Sequence, residues 1–165
     1  MEHKRGKIEV RLIRNEQEMA SAMEVRRRVF VDEQGVSREL EFDGLDGQAD
    51  QFLATLDGKV VGTARARAVD GGRAAKIERV AVLAQWRERG IGLRIMEFVE
   101  AFLARRGVER AVLNSQEQAR GFYERLGYEA AGEPFEEAGI AHIKMVKVIG
   151  GRGEGCGPRV RATER

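Results

Sequence analysis

The stretch QWRERGIGLRIM (Gln85–Met96) places two glycines, Gly90 and Gly92, among three arginines, just where an apolar periodicity begins. Glycine costs a helix about 1 kcal/mol relative to alanine, so its use at this point needs a reason. The first turn of a helix carries unpaired N–H groups at the positive end of the helix dipole, and an anion is stabilised there. A glycine without a Cβ lets a phosphate approach that backbone closely. Arg87, Arg89 and Arg94 add full positive charge around the same spot. Two familiar phosphate-binding patterns fail here. The third residue after Gly92 is Ile95 rather than glycine, and no Gly-Lys-Ser/Thr follows. The spacing therefore supports an anion site of another kind, against the blander reading of a helix start with a solvated basic face.

The chain that must position this loop has 165 residues, 42% of them hydrophobic and 34% charged, a size and composition that fit one domain with a sizeable core. Its 29 basic and 27 acidic residues leave a formal net charge of +2, so bulk charge does not point to nucleic acid. No apolar run is long enough for a membrane span, and the basic N-terminus lacks the apolar core of a signal peptide. One cysteine, Cys156, fits a reducing compartment, and His3 and His142 are too few and too distant to suggest a metal site. The expected location is the cytoplasm.

Alternating residues mark Lys7–Ile13 as a strand, and Asn15 is placed to cap a helix running to Phe30. The acidic stretch from Asp32 to Asp50 is expected to be loop. Asp57-Gly58 predicts a hairpin between two strands, and a third follows the turn at Asp70–Arg73, in meander order. Ile91, Ile95, Phe98, Val99, Phe102 and Leu103 repeat at helical spacing up to Gly107, a residue suited to ending the helix. A strand through Asn114, a short helix through Phe122 and Tyr123, and a closing hairpin complete the order β-α-β-β-β-α-β-α-β-β. This is an α+β architecture, a mixed sheet flanked by helices. Residues 1–149 form one domain in this reading, and the glycine- and arginine-rich stretch 150–165 is a disordered tail.

The segment Val80–Met96 resembles motif A of the GNAT superfamily of acyl-CoA N-acyltransferases, with Arg87, Gly90 and Gly92 matching R-x-x-G-x-G. Downstream, GFYERLGYEAAGE (Gly121–Glu133) is similar to the matching motif B. RRRVFVDEQGVSRELEFDGLD near the N-terminus, KIERVAV, and the run from Ser115 to Met145 narrow the resemblance to the ElaA-like and YjcF-like branch, over residues 8–149. The resemblance implies a centrally splayed sheet and acetyl-CoA as acyl donor. It also implies that the backbone of Arg87, Glu88, Arg89, Gly90, Ile91, Gly92 and Leu93 holds the pyrophosphate, while Val80, Ala81 and Val82 bond the pantetheine arm. Tyr123 falls where these enzymes place a general acid, which would protonate the leaving thiolate.

The implied activity is transfer of an acetyl group to a primary amine of a small molecule or peptide. A lysine-like ammonium, with pKa about 10.4, must first lose a proton. Glu78 shares a strand face with Val80 and Val82 by the two-residue period and could take that proton; pairing with Arg65 or Arg67 across the hairpin is the equal alternative. Asn114 and Gln116, where a strand gives way to a helix, could bond the pantetheine, with a capping role open for Gln116. Phe122 offers the core ring of the short helix, which would leave Tyr123 to face another direction. Glu33, Gln34, Glu41, Asp43 and Asp46 would suit a cationic amine, although a solvated acidic loop is the commoner meaning of such a run. His142 is a candidate for the acceptor side. Two competing readings are an acyl-homoserine-lactone-synthase-like acyltransferase, suggested by the Glu-x-Asp-x-x-Asp spacing at Glu41, Asp43 and Asp46, and a non-catalytic acyl-CoA-binding regulator. No metal, membrane or nucleic-acid partner is expected, and a homodimer is left open.

Overall fold

A computed structural model of the chain describes residues 6–150; the expectations for the 150–165 tail and Cys156 fall outside the described residues beyond Gly150. The elements are mixed α+β, and they group into two compact units. Among the described residues, the first comprises 6–67 with 77–99, the second 68–76 with 100–150.

In the first unit, β1 (Ile8–Leu12) pairs antiparallel with β2 (Asp50–Leu56), and β2 with β3 (Lys59–Val69), through the turn at Asp57 and Gly58. Strand β4 (Ala74–Val82) lies next to β3. Gly62 on β3 permits a tight approach, because a Cβ there would sit 2.9 Å from the Ala81 carbonyl oxygen and 3.0 Å from Ile95 Cδ1. Helix α1 (Glu16–Arg26) starts at Asn15, whose side chain accepts from the Glu18 N–H at 2.8 Å. The helical path continues beyond α1, but as a π-helical turn over Arg27–Glu33, with Gln34 N–H reaching back to Val29 at 3.1 Å. Wide turns of this kind are frequent at functional sites.

The stretch expected to be loop holds a one-turn helix, α2 (Arg38–Glu41), capped by Ser37, and a 3-10 turn at Asp46–Gln48. The acidic residues that argued for solvated loop are instead neutralised by arginines, as described below. Val25 and Val29 pack with Ala81 and Leu83 of β4 and its exit, with Phe30, Val60 and Trp86 around them. Helix α3 (Ile91–Arg105) buries Ile91, Ile95, Met96 and Val99 in a single stripe.

In the second unit, the start of β4 pairs parallel with β5 (Arg110–Gln116) through Ala74–Lys76 and Arg110–Val112, and this parallel ladder ends after three pairs. Strand β5 pairs antiparallel with β8 (Ile140–Val148) along its whole length. The expected closing hairpin is divided: β6 (Glu129–Ala130) and β7 (Phe135–Glu137) pair with different parts of β8. Helix α4 (Arg120–Arg125) follows a 3-10 turn at Glu117–Ala119. Tyr128 donates to Glu100 at 2.9 Å, and Lys147 pairs with the same carboxylate at 2.6 Å, fixing β8 to the end of α3.

Candidate functional site

The loop between β4 and α3 is shaped by left-handed backbone. Glu88 has φ 64° and Gly90 φ 81°, so two tight reversals fall within three residues. A Cβ at Gly90 would meet nothing within 4 Å, which means this backbone faces open space. The first hydrogen bond of α3 runs from Arg94 N–H to the Gly90 carbonyl at 3.1 Å. The amides of Ile91, Gly92 and Leu93 thus precede the helix ladder and form its positive end. An open, glycine-cleared helix N-terminus of this kind fits a pyrophosphate by its chemistry.

The arginines around the loop do more than add charge. Arg87 donates from Nε to the Val82 carbonyl at 2.9 Å and grips Glu33 with both terminal nitrogens, at 2.5 and 2.8 Å. It thereby ties the end of β4 and the end of the π-helical turn to the loop. The same hydrogen bond holds the Glu33 carboxyl below its usual range. Arg89 lies over the Trp86 ring at 5.0 Å, and Arg94 reaches the Ile8 carbonyl at 3.4 Å. The part of the loop presented to an anion is chiefly backbone.

Behind β4, four guanidiniums (Arg26, Arg65, Arg67, Arg79) meet four carboxylates (Glu41, Asp43, Asp46, Glu78). Arg26 and Arg65 are fully buried and Glu41 nearly so. Arg26 donates to Glu41 and to Asp46, each at 2.6 Å. Arg65 bonds Asp43 at 2.7 Å and lies 2.8 Å from Glu78. The Arg65 hydrogen bond, against partial burial, holds Asp43 well below the usual carboxylate range. Burial pushes the Glu41 carboxyl up more than its Arg26 hydrogen bond draws it down. Gln51 donates to Asp46 at 2.9 Å, leaving its own buried Oε1 without a hydrogen-bond partner.

This network corrects two expectations. Glu41, Asp43 and Asp46 are neither a solvated loop nor an open acidic patch for an amine, because arginines occupy them. Glu78 makes the cross-hairpin pairing, accepting from Arg65 at 3.0 Å and from Arg67 at 3.0 and 3.1 Å. The alternation that would put Glu78 on the face of Val80 and Val82 is broken at Arg79, which has φ 56° inside the strand. Consecutive residues Glu78 and Arg79 consequently reach the same cluster, Arg79 through Glu41 at 2.6 Å. Arg65 and Arg67 were anticipated as partners of Glu78, whereas Arg26 and Arg79 were missed by sequence reasoning. The only signal for them was the Glu-x-Asp-x-x-Asp spacing beside an arginine-rich strand.

In the second unit, β5 alternates with Ala111, Leu113 and Ser115 buried and Val112, Asn114 and Gln116 half-buried, so Asn114 and Gln116 share a face. Gln116 accepts from the Gln118 side chain at 3.0 Å. The ring expected to fill the core of α4 is exchanged. Tyr123 is buried and Phe122 only half-buried, with their centroids 5.0 Å apart. Burial pushes the Tyr123 phenol up to about 12. His142 is also buried, with Nδ1 2.7 Å from the Ile140 carbonyl oxygen and its ring stacked on Phe135. Gln34 ends the π-helical turn, half-buried. No helix among the described residues is long and apolar enough to cross a membrane.

With this geometry in place, residues 12–149 match the family model described as an acetyltransferase (GNAT) domain. A Bacillus subtilis protein described as the uncharacterized N-acetyltransferase YjcF is 38% identical over 137 residues, covering 82% of this chain and 96% of its own. Escherichia coli ElaA has the same fold, with a TM-score of 0.75 at 24% identity over 86% of this chain and 99% of its own. An aminoglycoside 6'-N-acetyltransferase solved with coenzyme A also shares the fold, with a TM-score of 0.74 at 17% identity over 88% of this chain and 99% of its own.

Proposed function

The chain belongs to the GNAT acetyltransferase family, and from that premise we propose that it moves an acetyl group from acetyl-CoA to a primary amine of a small molecule or peptide. The observation that carries the donor assignment is the open helix start: the amides of Ile91, Gly92 and Leu93 ahead of the α3 ladder, beside left-handed Gly90. Arg87 keeps this loop in register through its Val82 and Glu33 bonds. Acetyl-CoA, when bound, supplies the activated thioester. Val80, Ala81, Val82, Asn114 and Gln116 are the residues proposed to bond its pantetheine arm.

Tyr123 would meet the sulfur as a hydrogen-bond donor. A phenol pushed up to about 12 stays protonated at neutral pH, which suits a donor to a developing thiolate. Glu78 is a less suitable proton acceptor than its sequence position suggested, since two arginines occupy its oxygens. A cytoplasmic setting fits this chemistry and the single cysteine.

The test is thermal unfolding with acetyl-CoA, free CoA and S-adenosylmethionine, followed by thiol release with a set of amines. Ligand binding to the native state raises the melting temperature by linkage. Stabilisation by both CoA species is expected. Stabilisation by S-adenosylmethionine alone would move the assignment to the homoserine-lactone-type reaction. Tyr123→Phe should lower kcat at least tenfold while leaving the CoA-induced shift in place.

A further inference from the structure

We propose that His142 is the base that takes the proton from the acceptor amine, an inference that rests on the acetyl-transfer reading above. Register places it. His142 on β8 lies directly opposite Gln116 on β5 and Phe135 on β7. Residues directly opposite in an antiparallel ladder share a face, so His142 stands on the face of Asn114 and Gln116. The final strand thus brings an imidazole to the same end of β5 as the side chains assigned to the pantetheine.

The hydrogen bonding of the ring sets which nitrogen can act. Nδ1 is 2.7 Å from the Ile140 carbonyl oxygen, which can only accept. Nδ1 therefore carries the hydrogen of the neutral ring, and Nε2 is left with its lone pair. The Phe135 ring lies against the imidazole at 5.9 Å with an interplanar angle of 23°, holding the plane of the ring. Of the groups around it, β7 brings Glu137, whose carboxylate is 3.9 Å from Nε2. That is too long for a hydrogen bond. The residue two further along β8 is the exposed Lys144, and β5 contributes the uncharged Gln116. About 10% of the His142 side chain remains exposed.

The proton balance gives the ring a defined task. An alkylammonium acceptor loses two protons from nitrogen in becoming an amide. One of them balances the thiol of the released CoA and the other goes to solvent. His142 Nε2 takes the one that goes to solvent, and the other, lost as the C–S bond breaks, ends on the CoA sulfur. The amine lone pair is then free to form the C–N bond as the C–S bond breaks, and His142 returns its proton to solvent before the next turnover.

The experiment uses the full chain, with acetyl-CoA as donor and spermidine, tyramine and an alanine-initiated hexapeptide as acceptors. His142→Asn keeps a donor towards Ile140 and removes Nε2. The expected result is a CoA-induced thermal shift and an acetyl-CoA KM within twofold of the parent, with kcat lower on the order of 10²-fold. The acid limb of the kcat/KM profile should also disappear, and free imidazole should restore turnover to His142→Gly. A readout without turnover is nitrogen NMR, tractable because the chain has two histidines. In the CoA complex the neutral His142 ring should be the Nδ1–H tautomer. An Nε2–H tautomer, or His142→Asn with unchanged kcat and pH profile, overturns the proposal. Failure of CoA to bind the parent protein, or of any amine to be acetylated by it, removes the acetyl-transfer reading and this inference with it. Turnover retained in His142→Asn removes this inference alone.

Discussion

Replacing Arg26 by methionine tests the buried charge network directly. Arg26 is fully buried, bonds Glu41 through Nε at 2.6 Å and through the Glu41 backbone at 3.2 Å, and pairs with Asp46 at 2.6 Å. Methionine fills a similar length without charge, so the balanced cluster of four cations and four anions becomes net negative. Glu41, 2% exposed, would keep Arg79 as an ion-pair partner and the electrostatic influence of Arg65. Breaking a buried pair from one side costs about 3–5 kcal/mol, a large share of the 5–15 kcal/mol or so that holds a domain folded. The double variant Arg26→Met with Glu41→Gln restores neutrality and should be more stable than Arg26→Met by at least about 1 kcal/mol, a coupling typical of contacting residues. Urea unfolding followed by far-UV circular dichroism at pH 7 measures both, with equal slopes as the check that the unfolded state is unaltered. Burial already pushes Glu41 up, so the penalty of Arg26→Met should shrink as pH falls and that carboxylate takes a proton. A loss below about 1 kcal/mol, or strictly additive single and double variants, would refute the assignment of this network as a tightly coupled buried cluster.

Three further outcomes are expected. Gly90→Ala places a Cβ in open space at φ 81°, so its stability loss should stay near the roughly 1–2 kcal/mol of left-handed strain, while the CoA-induced thermal shift falls sharply; an unchanged shift would mean that no anion approaches this backbone. Asp43 lies well below the usual carboxylate range, and Asp46 is also lowered, its arginine partners outweighing burial. Their contribution is full above the unfolded pKa of about 3.9 and is lost as pH falls from there through the depressed folded-state values, so urea midpoints should start to drop near about pH 4 and keep falling below it, and Asp43→Asn should flatten that limb. Tyr123 ionises near 12 in the folded chain and near 10 when unfolded. Stability should therefore fall as pH rises between those values, less steeply in Tyr123→Phe; an identical alkaline slope in the variant would show that the phenol is not buried in solution.

The shape of the loop between β4 and α3 was legible in the sequence because its device is backbone, and glycine writes backbone conformation into the chain. Gly90 at φ 81° and the arginine-flanked helix start needed no tertiary partner to be recognised. For Glu78 the sequence offered two roles, and what it left unreadable was the choice between them, because the left-handed residue that redirects its strand is Arg79, a type that carries no mark of such a conformation. The exchange of Tyr123 for Phe122 as the buried ring has a similar origin. A 3-10 turn at Glu117–Ala119 precedes α4, and the face that a six-residue helix buries depends on where that turn ends. The segment from Asp32 to Asp50 was misread because its negative charges were counted without their partners, which lie on α1, β3, β4 and the loop after it, up to 54 residues away in sequence.

Those partners bear on how an acceptor could be recognised. A cationic amine would be drawn by unpaired negative charge, and the sequence offers it most densely between Glu33 and Asp46. In the folded chain, Glu33 is held by Arg87, and Glu41, Asp43 and Asp46 are held by Arg26, Arg65 and Arg79. Opposite charges a few ångströms apart cancel at long range, and salt screens what remains beyond about 8 Å. The arginines have turned an acidic segment into a neutral, rigid support for β4 and the anion loop. Proton removal must then depend on a group with a lone pair and a fixed orientation rather than on a field of carboxylates. Among the residues considered for the acceptor side, His142 meets that requirement, with Nδ1 committed to a carbonyl oxygen and Nε2 left to act.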